Sequence, residues 1–202
     1  TEAADGRRPV LGVPEGPYLE RADAEGLAAY EGQLELLRAA GYDVRRVPVM
    51  ADFDAILVQV HHANRYELAQ AHADWFARHA DRYRPETVQA IAEGRAVSRA
   101  DYEAALADRV RTRERLAAAM DESGIDAWVA PPAPGPAPRG FATTGSAIMC
   151  LPWSNAGVPA LTVPAGHAAN GLPLGLQIVA RRDADEALLG WGSELEKVLA
   201  GA

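Results

Sequence analysis

The chain has 202 residues, 49% of them hydrophobic, with 20 Lys and Arg against 28 Asp and Glu and a formal charge of −8. That length and apolar content allow a core of ordinary size, and the acidic balance argues against nucleic acid as a partner, because phosphate recognition needs concentrated basic charge. No apolar run reaches the roughly 20 residues of a membrane span, and the single cysteine, Cys150, cannot form an internal disulfide, which fits a reducing, cytoplasmic setting.

Residues 1–8 are polar, lack the apolar stretch of a signal peptide, and read as a disordered leader. The chain opens on Thr1 rather than Met, which reads as a piece of something longer. Residues 9–202 read as a single α/β domain. Pro9–Val13 is a short apolar strand. Leu27, Tyr30, Leu34 and Leu37 then fall at helical spacing within Asp23–Ala40, and Gly41 stands where a helix would stop. Val44, Val47 and Val49 follow as a strand. A strand–helix–strand unit of about forty residues predicts parallel pairing through a right-handed crossover.

From residue 52 the composition shifts to Ala, Arg and Glu, and β-branched residues become scarce. Helices are predicted over 52–80, 86–93 and 98–122, divided at Pro85 and around Gly94. Together they make a helical insertion, 52–122, between sheet elements. Ser98 with Asp101 three residues on is a weaker form of the capping box. Tyr102, Leu106, Val110, Leu116 and Met120 mark one buried stripe. The run Arg109, Arg111, Arg113 and Arg115 is interleaved with acids and reads as a solvated helix face.

His61, His72 and His79 would share a face if the first of these helices were continuous. The closer pair is seven residues apart, roughly 10 Å at 1.5 Å per residue, whereas helical zinc ligands need i, i+3 or i, i+4 spacing. No metal site and no cofactor is assigned.

Ile125–Ala130 returns to strand, and the PPAPGPAPRG segment after it cannot continue one, because proline lacks the donor N–H. The apolar runs Pro159–Pro164 and Leu172–Ala180 flank Asn170-Gly171, a strong hairpin signal since both residues tolerate positive φ. Ala187, Leu188, Trp191, Leu195 and Val198 close the chain as an amphipathic helix within Asp183–Ala200.

Candidate nucleophiles are weak. Ser146 is followed by Ala147 and Ile148, so the Gly-x-Ser-x-Gly elbow is absent. The one lysine, Lys197, lies in the terminal amphipathic stretch, where nothing lowers its pKa toward that of a working base. Cys150 sits in the apolar Ala147–Leu151 and reads as packed interior rather than an activated thiolate. No catalytic residue is assigned.

Asn155, Gly157 and Pro159, then Val163-Pro-Ala-Gly166, then Gly171-Leu-Pro-Leu-Gly-Leu-Gln177 stand in the order shown by the C-terminal part of the amidase signature family, which this chain resembles. The resemblance implies an α/β fold, a mixed β-sheet flanked by helices. It implies hydrolysis of a C–N bond, amide to carboxylate plus amine or ammonia. It further implies that the chain is the distal, pocket-forming half. The family's Ser-cisSer-Lys triad stands in its N-terminal half in a Gly/Ser-rich run, whereas here Ser98, Ser123, Ser146, Ser154 and Ser193 are scattered. The isolated chain is therefore expected to be inactive.

By the same resemblance, Phe141, Thr144, Ile148, Trp153 and Asn155, with Pro134 beside them, are the expected substrate-binding wall. Glutamine-using members carry an acid where this chain has Ile148, which favours a neutral or apolar amide, because an apolar side chain cannot compensate an ammonium. The implied partners are a small-molecule amide and an N-terminal amidase half or a second copy. A different reading is a non-catalytic binding or assembly module that pairs with a catalytic chain or self-associates.

Overall fold

In the computed structural model, which describes residues 7–200, strands β1 (Leu11–Glu15), β2 (Val44–Pro48), β3 (Ala127–Ala130), β4 (Ala160–His167) and β5 (Pro173–Val179) form one sheet in the order β2-β1-β3-β5-β4. β1 is parallel to both β2 and β3, while β5 is antiparallel to both β3 and β4. This is the mixed α/β architecture expected from the sequence. The chain divides into two compact units. One comprises the residues up to Phe53 together with those from Arg113 onward, and the other is Asp54–Thr112.

In the first unit, α1 (Ala24–Ala39) makes the predicted crossover between parallel β1 and β2. Asp23 caps it, its Oδ1 accepting from Gly26 N–H at 2.7 Å, and Gly41 ends it at φ 86°. Tyr30, Leu34 and Leu37 are buried as the spacing required. β1 begins two residues later than the predicted Pro9, and Val49 falls just outside β2. Six residues of the expected leader lie outside the described residues. Arg7 and Arg8, its last two, are tied down, donating to Asp126 Oδ1 at 2.7 Å and to the Ala40 carbonyl.

All four residues of β3 are buried, as befits a central strand. α6 (Leu151–Ala156) is stopped by Gly157 at φ 66°, and α7 (Asp185–Leu199) buries Leu188, Leu195 and Leu199. The predicted hairpin is present: β4 and β5 pair from Ala160↔Val179 to His167↔Pro173. Its loop differs from a two-residue turn. Gly171 alone takes positive φ (80°), while Asn170 uses its side chain, Oδ1 accepting from Leu172 N–H at 3.0 Å. Asn closes an Asx turn here instead of adopting the left-handed region.

Tyr18 is the polar hub of the core. Its hydroxyl donates to the Met149 carbonyl at 2.8 Å and accepts from Trp153 Nε1–H at 3.0 Å, and its ring meets Phe53 and Trp153 edge-on, each at 5.5 Å. Tyr30 donates to the Val129 carbonyl at 2.8 Å. Burial pushes both phenols well above their ordinary range. Because the folded-state values are raised, this stabilisation is complete below about pH 10 and is lost as pH rises, since the unfolded chain gives up protons that the folded chain keeps. We expect unfolding free energy to fall above pH 10 with a slope of about 1.4 kcal/mol per pH unit for each of the two phenols. Tyr18→Phe should remove one phenol's share of that slope. Urea titrations between pH 9 and 11 read it, and a flat profile would refute this role for burial.

The second unit is helical. Its residues come from α2 (Phe53–Ala71), α3 (Ala73–His79), α4 (Pro85–Ala96) and α5 (Arg99–Ser123), the unit boundaries falling inside α2 and α5. The single helix predicted over 52–80 is broken at His72, whose Nδ1 lies 2.8 Å from the Tyr83 hydroxyl. His61 and His79 therefore sit on different helices. Pro85 opens α4 at a position that needs no N–H. Gly94 does not divide the chain but lies buried inside α4. The Ser98 cap forms: Asp101 N–H donates to Ser98 Oγ at 3.1 Å, and Ser98 Oγ donates back to Asp101 Oδ2 at 2.6 Å. The buried stripe of α5 runs through Ala105, Thr112, Leu116 and Met120, while Val110 is exposed. Val110 and Thr112, two residues apart, lie on opposite sides of a helix, so only one of them can belong to the stripe.

Candidate active-site cavity

β1 has β2 on one side and β3 on the other, so the loops leaving the carboxyl ends of β1 and β3 part from each other, the place where open α/β sheets form crevices. A cavity of 460 Å³ lies there. Asp23, Gly26, Tyr30 and Gln33 of the α1 region form one wall, the proline-rich Pro131–Pro138 the second, and Thr144–Ser146 with the start of β5 the remainder.

The two main walls are locked by main-chain contacts. Asp23 N–H donates to the Pro134 carbonyl at 2.8 Å. A Cβ on Gly26 would collide with that same carbonyl, and a Cβ on Gly135 would collide with the Asp23 carboxylate. Two glycines thus let a helix terminus and a proline-rich loop touch backbone to backbone. Proline suits the loop because fixed φ and missing donors make it stiff without orphaning N–H groups.

The lining is sparsely polar. Asp23 is its one carboxylate and, among the described residues, no cation lines it. Gln33 is 5% exposed, donates from Nε2 to the Ala165 carbonyl at 2.8 Å, and its Oε1 accepts no hydrogen bond among the described residues. Ser146 is exposed, and its Oγ accepts from Ile148 N–H at 3.3 Å. Cys150 Sγ–H donates to the Pro132 carbonyl at 3.1 Å, and burial pushes the thiol pKa up. Lys197 is hydrogen-bonded to Glu194 at 2.8 Å, which raises its pKa and holds it as ammonium. These groups do not make an activated nucleophile.

Of the residues expected to line a substrate pocket, Thr144 and Pro134 stand on this cavity. Phe141 is fully exposed on the loop before it, and Ile148 and Asn155 are half-buried outside its lining. Trp153 is 1% exposed and belongs to the core, its indole N–H spent on Tyr18. Asp23, Gly26, Gln33 and Gly135 went unassigned in the sequence. The available signal was Gly26 inside a helical pattern, where glycine costs about 1 kcal/mol against alanine and so needs a packing reason.

A model of the amidase family matches residues 3–189, and the chain belongs to that family. It is similar to a glutamyl-tRNA(Gln) amidotransferase subunit of Methylocella silvestris, 39% identical over 83 residues, which is 37% of this chain and 17% of that protein. The corresponding mitochondrial glutamyl-tRNA(Gln) amidotransferase subunit of Mycosarcoma maydis is 34% identical over 136 residues, 61% of this chain and 25% of that protein. A crystal structure of an amidase superposes with a TM-score of 0.86 at 30% identity, over 96% of this chain and 47% of that one. The chain thus spans about half the length of the solved amidase it matches. No helix among the described residues is long and apolar enough to cross a membrane.

Proposed function

We propose that the chain is the distal, pocket-forming half of an amidase-family hydrolase that converts an amide to a carboxylate plus amine or ammonia. The observation that carries this reading is the 460 Å³ cavity at the carboxyl ends of β1 and β3, with a rigid proline wall and no activated nucleophile of its own. The chain supplies the wall of the chamber, and Ser-cisSer-Lys chemistry comes from amidase sequence outside these 202 residues.

The substrate proposed is a neutral, largely apolar amide. The lining is mostly proline and other small residues, and the one carboxylate among the described residues that line it, Asp23, is engaged in capping α1. The amidotransferase relatives make glutamine the competing substrate. Steady-state turnover of glutamine against a neutral aliphatic amide by the assembled enzyme separates the two.

The purified 202-residue chain is expected to show no amidase turnover on simple aryl or aliphatic amides, and co-expression with an N-terminal amidase half bearing the triad is expected to restore it. Turnover by the chain alone that vanishes in Ser146→Ala would overturn the half-enzyme reading.

A further inference from the structure

A second cavity, of 280 Å³, opens at the opposite end of β5. Pro173–Gly175 at the start of that strand wall the first cavity, whereas Val179 and the residues just beyond it wall this one. Seven residues of strand separate the two by about 20 Å at 3.3 Å per residue. Leu116, Met120, Trp128, Trp153 and Val179 give the second chamber apolar walls, and the buried Trp128 Nε1–H donates to nothing among the described residues.

A polar vestibule adjoins the chamber and shares Arg113, Val158 and Arg182 with it. The charges at this mouth are not equally engaged. Arg181 is held by Asp121 at 2.7 Å, and Arg182 lies 3.6 Å from Asp183. Arg113 is half-buried, and its hydrogen bond goes to the Ala156 carbonyl at a long 3.4 Å, so its positive charge has no carboxylate partner among the described residues. A guanidinium placed this way favours an anion, and it does so next to a chamber that favours hydrocarbon. Glu114 lines the chamber and Asp183 and Asp185 line the vestibule, and these carboxylates oppose any ligand with a second negative charge.

We propose that this chamber binds a small monocarboxylate with an apolar body, the body against Trp128 and Trp153 and the carboxylate on Arg113. The site is separate from the first cavity, and the inference does not rest on the hydrolase reading. Calorimetry and tryptophan emission on the 202-residue chain test it, with hexanoate, hexan-1-ol and hexylamine as probes. Saturable binding of hexanoate is expected, with hexan-1-ol at least about tenfold weaker and hexylamine not bound. Arg113→Gln should weaken hexanoate about tenfold and leave hexan-1-ol unchanged, whereas Arg113→Lys should retain most of the affinity. Ala117→Leu, which fills the chamber from α5, should abolish binding of both while the thermal midpoint stays within a few degrees of the parent. Hexanoate that fails to saturate, hexan-1-ol or hexylamine binding as tightly as hexanoate, or an Arg113→Gln variant of undiminished affinity would each overturn the proposal.

Discussion

Gly26→Ala is expected to destabilise the first unit by about 2–3 kcal/mol and to push the proline-rich loop off α1. Helix propensity alone argues the other way, since alanine gains about 1 kcal/mol over glycine in a helix. Sterics decide the sign. The new Cβ would meet the carbonyl oxygen and carbon of Pro134 and the Cα of Gly135, all backbone atoms that cannot swing aside as a side-chain end would. Gly32, in the same helix, is the internal control, because a Cβ there meets nothing within 4 Å. Gly32→Ala should therefore raise stability by up to about 1 kcal/mol. Urea midpoints for the two variants should move in opposite directions. If Gly26→Ala is neutral or stabilising, the backbone lock between α1 and the loop is not formed as described.

Gly94→Ala is expected to loosen Asp54–Thr112 selectively, at a cost of about 3 kcal/mol. In α4 a Cβ at that position would run into the Arg65 carbonyl and the Ala69 methyl of α2, so the two helices would have to move apart. The ion pair of Arg65 with Glu93, 2.9 Å in length, would be strained by the same displacement. Hydrogen exchange resolves the outcome by region: amides of α2 and α4 should lose protection while those of β1, β3 and β5 keep it. Gly190→Ala in α7, where nothing lies within 4 Å, should leave exchange unchanged throughout. Equal loss of protection in both units would show that they do not unfold independently.

Features with a local chemical cause were legible in the sequence. Parallel β1 and β2 followed from a crossover too long for a hairpin, the Ser98 cap from a hydroxyl three residues before a carboxylate, and the β4–β5 hairpin from two apolar runs around Asn170-Gly171. The misreadings arose where distant partners decide. His72 breaks a helix whose composition is uniformly helical, and its imidazole is hydrogen-bonded to Tyr83, eleven residues on. Val110 and Thr112 exchange roles because burial in α5 depends on what the helix packs against, not on hydropathy alone.

The candidate site is legible in the sequence as a neighbourhood more than as a set of residues. The resemblance sets Thr144 and Pro134 on an expected substrate wall, and both stand on the 460 Å³ cavity. Trp153 was expected on the same wall, but its N–H finds an acceptor in Tyr18, 135 residues away, and that draws the ring into the core. Gly26, Gly135 and Gln33 announce themselves only through three-dimensional closeness, which leaves no periodic trace in one sequence.

The lock between α1 and the loop is made by a peptide N–H, a peptide carbonyl and two absent side chains, while most of what a ligand would touch is side chain. Frame and lining are therefore nearly separable parts. Substitutions in the 144–146 segment can redraw the shape and polarity of the chamber without asking the fold to change, whereas substitutions at Gly26 or Gly135 alter the fold before they alter any preference. A chamber built this way can change what it accommodates through mutations that are close to neutral for folding. Its evolutionary freedom lies in Thr144 and Ser146, and its rigidity in residues that contribute no functional group at all.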